Sequence, residues 1–116
     1  MKSIIFSYYD WGEFEAFLDK LPVKDAIKLS DRIQKIEEYG LLISERQEWI
    51  KKLENNLYEI RSKRSSNIQR ALYFKIIDNQ FMISHAFTKK TNKTPSSEKN
   101  KARRRRDDYL RRHKDE

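Results

Sequence analysis

The period of apolar positions changes several times along the chain, and each change marks an element. Ser3–Tyr8 (SIIFSY) is dense in β-branched and aromatic residues and predicts a strand. Asp10 followed by Glu13 fits a helix-opening capping pattern. Phe14, Phe17, Leu18 and Leu21 then recur at helical spacing until Pro22 breaks or restarts the helix. Ala26, Leu29, Ile33 and Ile36 form a second stripe at steps of three and four, with Gly40 as its stop and 41–48 as a polar connector. Both stripes read as the buried faces of surface helices.

Beyond residue 48 the pattern shortens. Trp49–Leu53 predicts a short strand, and Asn55-Asn56 a turn, because Asn tolerates the left-handed region. Leu57–Lys63, Ile68–Ile77 and Gln80–Thr88 are strand-like, separated by Ser65-Ser66-Asn67 and by Asp78-Asn79, and predict an antiparallel meander. Thr94 is placed to cap a last helix, with Pro95 at its first position, running to about His113. That helix has little apolar content beyond Ala102, Tyr109 and Leu110, so it is basic nearly all round. Strand, two helices, three or four strands and a basic helix make an α+β domain, read as a single unit over 1–116.

Charge sharpens this picture. Residues 1–56 hold 9 basic and 11 acidic side chains, a net of −2; residues 57–88 are +3 and residues 89–116 are +7. Basic charge gathered in the second half is the footprint of a polyanionic partner, nucleic acid first, although a solvated basic helix has the same composition. With no cysteine there is neither a disulfide framework nor a thiolate metal site. The apolar runs fall far short of a bilayer span and the N-terminus is too short for a signal-peptide core, so a cytoplasmic protein is the simplest expectation. No zinc-site spacing, phosphate-binding glycine loop or Ser/His/Asp order is present. No metal or cofactor is expected.

Three blocks carry a resemblance. Lys52–Arg61 (KLENNLYEIR), Asn67–Phe74 (NIQRALYF) and His85–Pro95 (HAFTKKTNKTP) resemble, in order and spacing, the stretches KLENGLYELR, GNIYRVLYF and HGFVKKTQKTP of phage-type HigB toxins in the RelE/ParE superfamily. Asn56 stands where those toxins usually have glycine, and Asn92 where they have glutamine. The resemblance implies the RelE-like fold, a small curved antiparallel sheet with two N-terminal helices packed on it. It also implies the toxin of a type II toxin–antitoxin pair, held inactive by a HigA-like helix-turn-helix antitoxin, normally as a heterotetramer. RelE-like toxins cut mRNA on the ribosome without a metal: the ribose 2′-OH attacks the adjacent phosphate, leaving a 2′,3′-cyclic phosphate and a 5′-OH.

That chemistry needs a proton acceptor, neutralisation of the phosphate and a proton donor for the leaving oxygen. Arg61 and Arg70, on neighbouring strands, suit the phosphate, because a guanidinium stays charged and binds oxygens bidentately. Lys89 and Lys90 close the last strand, where crowded cations lower one another's pKa. His85 is the one histidine inside the folded region. By the period of two it shares a face with Phe87 and Lys89, and it is read either as an acid/base or as a satisfied core residue. Tyr73 and Phe87 could stack on a base, but are read first as core. Lys52, Lys63, Arg64, Lys93 and the run Arg103, Arg104, Arg105 and Arg106 are candidates for nucleic-acid contact, the run for the ribosomal RNA backbone. A ParE-like inhibitor of gyrase, a non-catalytic basic binding module and an inactive toxin relic are the competing readings, since one fold serves several functions.

Overall fold

The structure is a computed structural model that describes residues 2–113. Its elements run β1 (Ile5–Tyr8), α1 (Trp11–Lys20), α2 (Val23–Arg46), β2 (Ile50–Glu54), β3 (Leu57–Arg64), β4 (Asn67–Ile77), β5 (Gln80–Thr88) and α3 (Ser96–Arg112). The mixed α+β architecture expected from the pattern is present. The five strands form one sheet in the order β1-β5-β4-β3-β2. β2 to β5 are the expected antiparallel meander, but β1 lies parallel to β5, Phe6 opposite Phe81. The wholly antiparallel sheet is thus corrected. β1 reaches β5 through α1, α2 and three strands, and no local turn fixes its direction.

Alternation along the strands builds a core on each face. Ile60, Ala71, Tyr73, Phe81 and Ile83 meet Phe14 of α1 and Leu29, Ile33 and Ile36 of α2. Leu57, Leu72 and Phe87 point the other way and meet Ala102 of α3. Each fully buried large side chain contributes on the order of 1.5–3 kcal/mol, so the larger core dominates the fold.

Asp10 caps α1 by accepting a 3.0 Å bond from the Glu13 amide. Gly40 interrupts α2 at φ 86°, as a stop requires, but the chain then resumes helix to Arg46 instead of forming the expected polar connector. The Ser44 hydroxyl donates to the Gly40 carbonyl at 2.6 Å and satisfies a group that the break leaves open. Thr94 does not cap α3: Pro95 occupies the cap, and the Thr94 hydroxyl donates instead to Glu59 Oε2 at 3.0 Å. Among the described residues no helix is long and apolar enough to cross a membrane.

Candidate functional site

α3 does not cover its face of the sheet completely. Between its N-terminus, the 89–95 loop and the β2–β3 edge lies a cleft of about 540 Å³. Lys51, Arg61, Lys89, Lys93 and Lys99 line it, with Glu59 as its one carboxylate. A polar hollow with five cations and one anion attracts phosphate groups.

The register places the central residues. Arg61 and Arg70 pair directly across β3 and β4, so both side chains leave the same face. Glu59 shares that face two residues earlier and is 1% exposed. Its Oε1 lies 2.5 Å from Arg70 Nε and 3.9 Å from Lys89 Nζ. The Arg70 contact is close but poorly aligned, and neither of its two atoms makes a hydrogen bond of normal geometry, so the attraction between them is that of charge. Arg70 also donates through Nη1 to the carbonyl of Gln69 at 3.0 Å. Burial lowers the Arg70 pKa against the opposing pull of Glu59, although a guanidinium remains charged. Arg61 is half-buried and its guanidinium has no ion pair among the described residues.

Lys89 follows the end of β5 and lines the cleft. Its side chain is 7% exposed. Burial pushes its pKa below the ordinary lysine value; Glu59 opposes the shift, and Arg70, Arg61 and Lys51 add to it. Its amide donates to the Ile68 carbonyl at 2.8 Å, which fixes the strand end at the mouth of the cleft. Lys90 is exposed and does not line the cleft.

His85 lies beneath α3, outside the cleft. It is 4% exposed, with Nε2 2.9 Å from Glu98 Oε1 and Nδ1 2.8 Å from Ser84 Oγ. Burial lowers its pKa and the Glu98 carboxylate only partly offsets this, so the ring is neutral near pH 7. Both ring nitrogens are satisfied, the arrangement of a core histidine that docks a helix.

The basic run of α3 is largely turned inward. Arg103 binds Glu54 through Nε at 2.9 Å and Nη2 at 2.5 Å. Arg105 binds Glu13 at 2.8 Å and the Ser84 carbonyl at 2.7 Å, and its guanidinium lies 4.8 Å from the Tyr9 ring centre. Arg106 donates to the Asn55 carbonyl at 3.0 Å. Arg104 alone of the four is exposed and without an ion pair among the described residues. Three of these arginines therefore hold α3 to the sheet. Arg64 is likewise committed, to buried Asp25, which also accepts from Asn67 at 2.9 Å.

Parity separates Lys51 from Lys52. Lys51 pairs with Glu59 and faces the cleft; Lys52 pairs with Tyr58 and faces away. Lys52 lines a larger hollow of about 610 Å³ with Leu41, Tyr58 and Tyr73, which Lys51 and Arg61 also border. That hollow has an apolar wall and acids among its bases, so the smaller cleft is the better anion site. Lys63 is exposed beside a third cavity, with Arg32, Arg61 and Arg70. Sequence reasoning missed Glu59, Lys51, Lys99 and Arg32. Strand parity carried the signal for Lys51 and Glu59, because each lies two residues from a leucine that faces α3, Leu53 and Leu57, and so shares its face.

Residues 16–107, most of the chain and all of the cleft, match the family model described as phage derived protein Gp49-like (DUF891). The chain belongs to the Gp49-like family. That family is associated with RelE-like, toxin-like proteins. No curated protein matches this Gp49-like chain. The family match takes in Arg61, Arg70, Lys89 and Glu59 together with all of α2 and the second half of α1.

Proposed function

We propose that this Gp49-like protein is the toxin of a type II toxin–antitoxin pair, with a RelE-like fold of the HigB branch, and that it cleaves mRNA on the ribosome. One observation carries the reading: Arg61, paired across two strands with Arg70, lies with a buried lysine of lowered pKa in a cleft rich in cations. A phosphodiester at Arg61 lies against the cations that neutralise its developing charge.

Lys89, in its neutral form, takes the proton of the ribose 2′-OH. The 2′ oxygen bonds to phosphorus, and the bond from phosphorus to the 5′ oxygen breaks with its electron pair on that oxygen. Lys51 or Lys99, as the ammonium, returns a proton to it. The products are a 2′,3′-cyclic phosphate and a 5′-OH, with no metal required by the balance. Glu59 is a positioning residue that holds Arg70 and Lys89 in place. His85 supports α3. Lys90, Lys93 and Arg104 remain available to the RNA backbone, and the cytoplasmic partners are a helix-turn-helix antitoxin, in a heterotetramer, and the ribosome.

Mapping mRNA 5′ ends in cells that express the chain, beside an Arg61→Ala variant, tests this. New cuts within translated frames that vanish in the variant support it. Growth arrest without new cuts overturns the nuclease and leaves a gyrase-directed toxin.

A further inference from the structure

α2 contributes a cation that none of the three sequence blocks contains. Arg32 is half-buried, and burial lowers its pKa. Its Nη1 donates to the Arg61 carbonyl at 2.5 Å, and its guanidinium lies 5.4 Å from the Trp49 ring centre. No ion pair engages it among the described residues. A desolvated charge without a counter-ion is costly, and an anion that settles beside it recovers part of that cost.

The surroundings supply such a place. A cavity of about 240 Å³ is lined by Arg32, Arg61, Arg70 and Lys63, with Ser62 and Glu48. Four cations face one carboxylate, and Glu48 is exposed and free to turn to solvent. The cavity adjoins the stretch of β3 that β2 leaves open, because the β2–β3 pairing ends at Ile60 opposite Ile50. Arg61 lines both this cavity and the larger cleft.

We infer that Arg32, with Arg61 and Lys63, forms a second phosphate subsite. A single-stranded polyribonucleotide then lies across Arg61, with one phosphodiester in the lysine-lined cleft and a neighbouring one against Arg32. The inference rests on the RNA reading above and adds a strand path to it. It also gives the guanidinium of α2 a ligand class, a backbone phosphate, which carries no base information.

Binding of 2′-O-methyl RNA, which lacks the attacking hydroxyl, separates the possibilities by fluorescence anisotropy on the full chain. Wild type, Arg32→Gln, Arg32→Lys and Arg61→Ala are compared on a dinucleotide and on an octanucleotide, with thermal melts as a folding control. Arg32→Gln is expected to lose about tenfold in affinity for the octanucleotide and little for the dinucleotide. The slope of log affinity against log salt should fall by about 0.7 for the lost contact. Arg32→Lys, which keeps the charge, should recover most of the loss. Equal losses on both lengths would mean that Arg32 acts only by supporting Arg61, and the subsite fails. An Arg32→Gln protein that binds like wild type while Arg61→Ala does not sinks the subsite and spares the RNA reading. If wild type binds neither length, both fall.

Discussion

Arg61 and Arg70 stand opposite each other across one rung of the β3–β4 ladder, yet only Arg70 is neutralised, by the buried carboxylate of Glu59. Two like residues in one sheet position thus have different duties. Arg70 belongs to a buried ion pair, and Arg61 is left open to a ligand. Arg70→Ala should destabilise the fold by about 3–5 kcal/mol, because it strands Glu59 away from water. Arg61→Ala should change stability by no more than about 0.5 kcal/mol. Urea titration of both variants checks the contrast, and equal losses would dissolve it.

Glu59 raises the Lys89 pKa against the stronger lowering by burial. Glu59→Gln removes that support, so Lys89 should lose its proton at a lower pH than in wild type. The rising limb of the cleavage rate against pH, measured on a short model RNA, should move to lower pH. A limb that stays in place means that Lys89 is not the proton acceptor.

His85 has a folded pKa below its unfolded value of 6.5, through burial. The folded state therefore binds fewer protons, so stability is full above that unfolded value and drains away as pH falls below it towards the folded value. Melting temperature should drop between pH 7 and about pH 5, and His85→Asn should flatten that drop. An equally steep drop in the variant assigns the acid sensitivity to other groups.

Gly40 holds φ 86°, and a Cβ built there would stand 3.3 Å from Ser3 Cβ. Gly40→Ala should cost about 1–3 kcal/mol, since this backbone region is nearly closed to other residues. Because Ser3 and Ile4 donate to the Glu37 carbonyl beside it, amide exchange in β1 should speed up most. Uniform acceleration throughout the sheet would contradict a local cost.

Local chemistry explains what was legible in the sequence. The turns at Asn56, Ser65 and Asp78 all take positive φ, and each falls where a small polar residue announced it. Arg61 and Arg70 were legible as residues of neighbouring strands, and the register of β3 on β4 sets them opposite each other. What stayed hidden depends on partners far along the chain. Arg103 and Arg105 read as a free basic surface because Glu54 and Glu13 lie 49 and 92 positions away. Lys52 opens a block of the resemblance and Lys51 lies just outside it, and a step of one residue moves a side chain to the other face of a sheet. The Gly40 break was visible, but the turn of helix beyond it was not, because its support is the Ser44 hydroxyl bond and packing of Leu41 on the core.

The parallel seam between β1 and β5 sets an order of events during synthesis. β1 is made before β5, and among the described residues its one neighbour in the sheet is β5, which begins at Gln80. Until that residue has been added, β1 has no strand to pair with, and the meander lacks one border. Long-range closure of this kind is slow and leaves strand edges bare while it waits. A chain interrupted before β5 is therefore not a smaller version of the protein but an aggregation-prone fragment, and the cleft comes into being only once the first turn of α3, which carries Lys99, has been made.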